Sequence, residues 1–294
     1  MERWIGELRA RASTGGGFLD RRGGRYRSDA TAWAIMTLSA SGADADILIR
    51  ARTRLAKDQY EDGRIPIGPE SPDATWPTSL AVLAWHGSPL HQEALSRAVS
   101  FLLRSSGRHW KGTAQAAVGH DTALRGWPWV DDTHSWVEPT ALAISALKAA
   151  GLSRHPRVHE GVRLLADRQL PGGGWNYGNT RVFGREQLPS PECTGAALQA
   201  LAGLLPRRQV ERSLAYLHAR AEQLRTPIGL GWSLSGLSAW DELPREAEAW
   251  VRASLDRETR YGGGYDTTSL CLLLRPLAVT GTLTTESPPA RRLS

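Results

Sequence analysis

A short block recurs along the chain and limits the folds that it can adopt. Each copy begins with threonine, continues through a run rich in alanine and leucine, and ends at glycine. The clear copies are Thr31–Gly42, Thr78–Gly87, Thr140–Gly151, Thr194–Gly203 and Thr268–Gly281, and a weaker copy is Trp232–Trp240. Glycine just past a helix commonly takes the left-handed conformation that ends it. Because the blocks are apolar nearly all round, we predict that each is a buried helix.

Segments of a second kind separate these blocks. They carry apolar residues at helical spacing with Arg, Glu and Asp on the opposite side: Glu2–Ala12, Asp44–Asp58, Gln92–Ser105, Pro156–Gln169, Pro206–Gln223 and Pro244–Arg257. This pattern is typical of helices with one solvated face. The two kinds of helix alternate about six times, at a period of roughly 35 to 60 residues. We therefore predict an all-α fold, an α/α toroid of about six helical hairpins with inner and outer rings.

A closed ring of this kind accounts for a chain of 294 residues as one domain. We expect residues 1–281 to form that single toroid domain. The segment 282–294, TLTTESPPARRLS, has the composition of a disordered C-terminal tail.

Composition argues against several partners and locations. The net charge is +6, but the arginines are scattered along the predicted outer helices and form no dense basic stripe. We therefore expect no nucleic-acid partner. No apolar run approaches the roughly 20 residues that a membrane span needs, and the first residues lack the apolar core of a signal peptide. We expect a cytoplasmic protein.

Acidic residues occupy a fixed place relative to the blocks. Two positions before the threonine of the five clear copies, the chain has Asp29, Trp76, Glu138, Glu192 and Asp266. Four of these are carboxylates at the start of a predicted inner helix. Capping and the helix dipole favour acids there without any function, so a structural and a functional interpretation both stay open.

A second group of acids lies in a loop crowded with tryptophan. Asp131 and Asp132 stand in the stretch GWPWVDDTHSW, in a chain that has 12 Trp against 6 Tyr and 3 Phe. Aspartate also favours turns, so this pair too has a structural alternative.

A glycine-rich turn precedes several blocks. Gln169 is followed by Leu-Pro-Gly-Gly-Gly and Trp175, and a degraded form joins Gln59 to Ile65. This arrangement resembles the QW repeat of squalene-hopene cyclases and oxidosqualene cyclases, in the prenyltransferase/squalene-oxidase repeat superfamily. The resemblance covers nearly the whole chain through Gly281. It implies an α/α barrel with its active cavity at the N-termini of the inner helices.

Three segments resemble DxDD or DCTAE, the motifs that supply the general acid in these cyclases. The segment WVEPT is similar to a DxDDT frame with Glu138 at the place of the acid. The segment ECTG is similar to DCTAE with Glu192 in place of Asp, and WVDDT keeps two acids as Asp131 and Asp132. None is an intact copy. The resemblance implies Glu138, or Asp131 and Asp132, as the acid, with Glu192 as an ancillary carboxylate.

Protonation of an alkene needs a carboxylic acid that stays protonated in a dry cavity beside a hydrogen-bonding neighbour. The resulting carbocation needs aromatic faces. We expect the substrate contacts among these residues: Asp29, Trp76, Trp127, Trp129, Trp136, Trp175, Tyr177, Phe183, Trp232 and Asp266. For the tryptophans, the alternative is a structural role as braces between hairpins.

The leading hypothesis is a class II terpene-cyclase-like enzyme that cyclises an isoprenoid chain after protonating it. One alternative is a non-catalytic toroid that binds an isoprenoid, a lipid or a protein. Another is a toroidal carbohydrate-active enzyme, because paired carboxylates and tryptophan also suit sugars. Family cyclases contact membranes through an apolar channel patch. Since the sequence identifies no such patch, peripheral membrane contact stays open, as does the oligomeric state.

We expect no cofactor, except Mg²⁺ if the substrate is a diphosphate. Protein prenyltransferase β-subunits, which are also α/α toroids similar to this chain, hold zinc with an Asp-x-Cys motif and a distant His. Here Cys193 follows Glu192 directly, and Asp266 is too far from Cys271. The acids and histidines of segment 120–134 have no fixed ligand spacing. We therefore predict no metal site.

Overall fold

The computed structural model describes residues 2–42, 45–110, 119–261 and 264–279. The predicted tail at 282–294 and the end of the last block lie outside these residues. In the part that is described, outer and inner helices alternate from the first element to the last. In chain order they are α1 (Glu2–Arg9), α2 (Ser28–Ala40), α3 (Ala45–Lys57), α4 (Pro77–Trp85), α5 (Gln92–Arg104), α6 (Val137–Ala149), α7 (Pro156–Asp167), α8 (Pro191–Leu201), α9 (Glu211–Ala221), α10 (Pro227–Ser238), α11 (Ala247–Tyr261) and α12 (Thr267–Val279).

The inner helices are the even-numbered ones, and they form a closed ring. Each contacts the next inner helix along the chain, and α12 returns to contact α2. The outer helices pack around this ring, each against one or two inner helices. Short 3₁₀ helices at Pro89–His91 and Arg207–Gln209 precede α5 and α9. A small hairpin, β1 (Arg181–Val182) with β2 (Arg185–Glu186), lies before α8. The predicted all-α toroid is confirmed.

Burial follows the two sequence patterns. The inner helix α4 buries nearly every side chain, as an apolar block does when helices surround it. The outer helix α5 buries Ala94, Ala98 and Leu102 on one face, while Glu93 and Arg104 on other faces are exposed. The hydrophobic core therefore lies between the two rings.

The block threonine has the same structural role in four of the five clear copies. Its hydroxyl accepts a backbone N–H from the turn that precedes the inner helix, and so fixes that turn to the helix. The bonds run from Phe18 to Thr31 (2.8 Å), Ile65 to Thr78 (2.9 Å), Trp127 to Thr140 (3.0 Å) and Trp175 to Thr194 (2.9 Å). The repeated threonine therefore makes an equivalent hydrogen bond in four hairpins.

The fifth inner helix differs from its predicted position. Residues Trp232–Trp240 were expected to form it, but α10 begins at Pro227, with Thr226 accepting the N–H of Gly229 at 3.3 Å. The prediction started too late because three glycines interrupt the apolar pattern of this helix. They let α10 approach its neighbours closely: a Cβ on Gly236 would lie 2.8 Å from the Cα of Gly195 in α8, and one on Gly231 would lie 2.6 Å from the carbonyl carbon of Leu272 in α12.

Gly195→Ala is expected to destabilise the protein because the new methyl group meets backbone atoms of α10, which cannot rotate away. Overpacking of this kind costs about 1–3 kcal/mol. The matched control is Gly6→Ala in α1, where an added Cβ has no neighbour within 4 Å. That change should stabilise by about 0.5–1 kcal/mol because alanine favours a helix interior. Urea unfolding measures both, and equal effects would contradict the close α8–α10 contact.

Candidate functional site

The inner helices all start at one end of the ring, because an outer helix returns the chain before each of them. We call this end the mouth; it is formed by the first turns of the six inner helices. The residues two positions before each block threonine lie here. Asp29, Glu138 and Glu192 lie within the first turns of α2, α6 and α8, whereas Trp76 and Asp266 directly precede α4 and α12.

Glu138 and Glu192 are neighbours at the mouth. Each is the second residue of its helix, and α6 and α8 are in contact. Burial, and to a smaller extent the negative charge of Glu192, together raise the pKa of Glu138 to about 7. These effects outweigh the stabilisation that a helix N-terminus gives a carboxylate. A carboxyl group with this pKa is about half protonated at neutral pH, so a substantial fraction of the protein can donate a proton.

Two further groups lie against this acid pair. Burial raises the pKa of Cys193 to about 12, so its sulfur stays a thiol and not a nucleophilic thiolate. The pKa of Tyr177 is raised chiefly by Cys193, then by burial, and then by Glu192 and Glu138. Its side chain is 60% exposed, and its carbonyl accepts the N–H of Val137 at 3.0 Å. Tyr177 therefore forms the solvent side of the cluster.

The other two carboxylates at the mouth have local partners. Asp29 is buried and accepts two hydrogen bonds from Arg27, each of 2.9 Å. Asp266 is exposed and accepts the backbone N–H of Ser269 at 2.6 Å, in the manner of a helix cap. The local hydrogen bonds of Asp29 and Asp266 are therefore those expected of carboxylates with a structural role.

Asp131 and Asp132 lie in the loop before α6, away from the acid pair, and both are exposed. Arg108 donates two hydrogen bonds to Asp132, and this pairing lowers the pKa of that carboxyl. Arg64 lies 3.9 Å from Asp131. Asp132 has a φ of 59°, which aspartate tolerates in turns better than most residues. Both carboxylates are solvated, and the pairing with Arg108 favours the ionised form of Asp132.

The aromatic residues separate into two groups. Trp127 and Trp175 are buried between the rings, and their indole N–H groups donate to the carbonyls of Leu102 (2.9 Å) and Leu165 (2.7 Å). They brace the hairpins. The half-buried Trp76 and Trp129 meet edge to face at the mouth, with ring centres 5.4 Å apart.

The remaining aromatic candidates lie elsewhere. Trp136 directly precedes α6 and lines a cavity beside the loop, whereas Phe183 is 89% exposed at the turn of the β1–β2 hairpin. Trp232 lies inside the ring.

The interior of the ring below the mouth is filled. Trp33 and Trp232 meet edge to face there, with ring centres 5.6 Å apart. The cavity that these two rings and the neighbouring inner helices line measures about 40 Å³. Trp33 was missed in the sequence, although it stands one turn after Asp29 on the same face of α2. Its signal is a large aromatic residue inside an otherwise small-residue block.

A separate cavity of about 310 Å³ lies at the rim, beside the loop that precedes α6. Its described lining includes His120, His134, Trp136 and Arg168 but no carboxylate. Within the described ranges, no group of three or more His, Cys, Asp or Glu side chains is placed to hold a metal ion, and no helix is long and apolar enough to cross a membrane.

No family model matches the chain, and no curated protein matches it. Several solved structures share its fold. A protein from Actinoplanes has a TM-score of 0.62 at 17% identity, covering 96% of this chain and 98% of that one. Type II terpene cyclase MstE from Scytonema has a TM-score of 0.59 at 13% identity over 96% and 98% of the two chains. A variant of MstE bound to geranylgeranyl dihydroxybenzoate, its substrate, has a TM-score of 0.61 at 12% identity over 96% and 97%.

An enzyme that acts on a different substrate class is about as similar. The endo-β-1,4-glucanase CMCax from Acetobacter xylinum has a TM-score of 0.58 at 14% identity, covering 96% of this chain and 98% of that one. Because every identity is low and nearly the full length of each chain is matched, these likenesses establish a shared architecture. The chain is an α/α toroid of the kind found in terpene cyclases and in a glucanase.

Proposed function

We propose that this protein is a class II terpene-cyclase-like enzyme in which Glu138 is the general acid. The observation that carries the proposal is the raised pKa of Glu138, about 7, beside a second carboxylate at the mouth. General acids work best when their pKa lies near the working pH. A buried carboxyl group of this kind is also a common mark of an active site.

The other carboxylates are poorer candidates for the acid. Asp132 is ionised by its pairing with Arg108, and Asp131 lies in the same exposed loop. Asp29 is bound by Arg27, and Asp266 caps α12. Glu138 is set apart because burial favours its neutral form. Glu192 would then act as the ancillary carboxylate that raises the pKa of Glu138.

In the proposed reaction, the carboxyl group of Glu138 transfers its proton to a carbon–carbon double bond of an isoprenoid. The carbocation is attacked by a second double bond of the same chain, which closes a ring, and loss of a proton ends the reaction. Aromatic faces at the mouth, from Trp76, Trp129 and Tyr177, would stabilise the positive charge. Because Trp33 and Trp232 fill the ring below, the substrate would lie across the mouth.

An isoprenoid is favoured over a more polar substrate by the exposed side chains of the connection that leads to α8. Tyr177 and Leu188, in the connection that leads to α8, are 60% and 85% exposed. The resemblance to cyclase motifs and the isoprenoid bound by a structural neighbour point the same way. We propose that no cofactor takes part, and that Mg²⁺ is needed only where the substrate carries a diphosphate.

A second candidate is glycoside hydrolysis. The pair of Glu138 and Glu192 favours it, since glycosidases use a protonated carboxylic acid together with a carboxylate. A toroidal glucanase is also among the structural neighbours. Under this alternative, Trp76 and Trp129 would stack on sugar rings.

Product analysis tests these candidates against each other. The purified protein would be incubated with farnesyl diphosphate, geranylgeranyl diphosphate, squalene and prenylated phenols, with and without Mg²⁺, and separately with β-1,4-glucan oligosaccharides. A cyclic isoprenoid product is the expected result. Release of shorter oligosaccharides would instead establish the glycosidase. If every substrate is recovered unchanged, the proposal is wrong and a binding toroid takes its place.

A further inference from the structure

The small cavity inside the ring is lined by polar side chains at one height along the ring axis. Ser145 and Gln199 line it, and they come seven residues after Glu138 and Glu192 on α6 and α8. At the rise of an α-helix this places them about 10 Å from the acid pair along the ring axis. Trp33 and Trp232 also line the cavity, nearer to the starts of their helices. Ala141 and Ala196 also line the cavity, so it begins about one turn below the acid pair and extends away from the mouth.

Arg275 of α12 lines the same cavity and has no counter-charge. Its guanidinium lies 6.0 Å from the ring centre of Trp33. It makes no hydrogen bond or ion pair with any residue that the structure describes. The described lining of the cavity contains no acidic residue. Arg275 is half-buried and so loses part of its hydration, and a contact with an aromatic ring replaces little of that loss. An unbalanced positive charge is thus held inside the ring.

The neighbouring polar groups also have free hydrogen-bonding capacity. Neither the hydroxyl of Ser145 nor the side-chain amide of Gln199 forms a side-chain hydrogen bond to a described residue. One cavity therefore collects a guanidinium with five donors, an amide with two and a hydroxyl with one. The same lining contributes two acceptors, the hydroxyl oxygen of Ser145 and the amide oxygen of Gln199, and its remaining described side chains are aliphatic or aromatic. Such a set can satisfy an anion, and the described lining contains no negative charge that would repel one.

We propose that Arg275, Gln199 and Ser145 form a binding site for a small carboxylate-sized monoanion inside the ring. The cavity volume of about 40 Å³ exceeds the roughly 10–15 Å³ that one water needs. It is far below the roughly 300 Å³ at which pockets for drug-sized ligands begin. Formate or acetate therefore fits, and a larger polyanion does not. The site needs no catalysis at the mouth, so it does not depend on the proposed function.

Thermal unfolding of the full chain tests this site, with formate as the probe. Sodium formate is added in exchange for sodium gluconate, so that the ionic strength stays constant. Gluconate serves as the background anion because it is too bulky to enter the cavity. The melting temperature should rise by about 3 °C at a formate concentration of about ten times the dissociation constant, because a ligand that binds only the folded state stabilises it. Acetate should act similarly and citrate should not. No rise with formate or acetate would overturn the proposal.

Arg275→Met is the decisive variant. It should unfold at a higher temperature than the natural protein in gluconate alone, since it removes an unpaired charge, and it should not respond to formate. The matched control is Arg252→Met on α11, an exposed arginine paired with Glu248, which should keep the full formate response. An equal response in both variants would show a general salt effect and would overturn the proposal.

A second variant covers the case in which Arg275→Met does not fold. Gln199→Leu keeps the charge and removes one donor, so it should weaken formate binding several-fold. Saturation-transfer NMR of the formate signal measures this directly. Acetate should compete with formate for the natural protein. An unchanged affinity in Gln199→Leu, together with no competition by acetate, would place the bound anion elsewhere.

Discussion

Glu138→Gln is expected to lower the turnover of the cyclised product by about 10³-fold, because glutamine has the shape of glutamic acid but no proton to transfer. Positioned general acids contribute about 10²–10⁴-fold to a rate. The loss should fall on kcat rather than on KM, since the amide still fills the same place. Product formation, followed by mass spectrometry, measures it.

The matched control is Glu93→Gln, the same chemical change on the exposed face of α5. It should leave turnover unchanged. Glu192→Gln should leave some activity, because burial alone still raises the pKa of Glu138. It should also move the alkaline limb of the pH–rate profile to lower pH, since one negative charge is gone. Full activity in Glu138→Gln would remove Glu138 from the mechanism.

The same substitution should stabilise the protein at alkaline pH. The pKa of Glu138 rises from 4.5 to about 7 on folding, so the folded state holds this proton more tightly than the unfolded chain does. Below pH 4.5 both states are protonated, and the group has no effect. Between pH 4.5 and 7 stability falls as pH rises, and above pH 7 the full penalty is present. This difference corresponds to about 3 kcal/mol.

Glutamine never ionises, so Glu138→Gln is free of this penalty. We expect its free energy of unfolding to exceed that of the natural protein by up to about 3 kcal/mol at pH 8, and to equal it at pH 4. Urea unfolding at the two pH values measures the difference, with Glu93→Gln as the control. A variant that is less stable at pH 8 would mean that the carboxylate is stabilised where it lies. The prediction would then be wrong.

The architecture could be predicted because it depends on repetition. The block threonines recur at a constant offset from the inner helices, and four of them make the same hydrogen bond to the preceding turn. Apolar and amphipathic segments then separate the two rings. Prediction failed for α10 because its glycines, which allow close contact with α8, also weaken the apolar pattern.

Only part of the candidate site could be predicted from the sequence. A shared offset before Thr140 and Thr194 places Glu138 and Glu192 at the starts of inner helices, and the contact of α6 with α8 makes them neighbours. The raised pKa of Glu138 depends on burial, which no short motif encodes. The contact of Trp33 with Trp232 likewise depends on ring closure, because these residues are distant in the chain.

The most direct test of a proton-donating Glu138 is the titration of its own carboxyl group. Carboxyl carbons of the full-length protein would be observed by ¹³C NMR from pH 4 to 9, with Glu138→Gln to assign the signal. We expect a midpoint near 7, which should fall in Glu192→Gln but stay above the ordinary value. A midpoint near 4.5, the ordinary glutamate value, would mean that Glu138 is ionised at neutral pH and cannot be the acid.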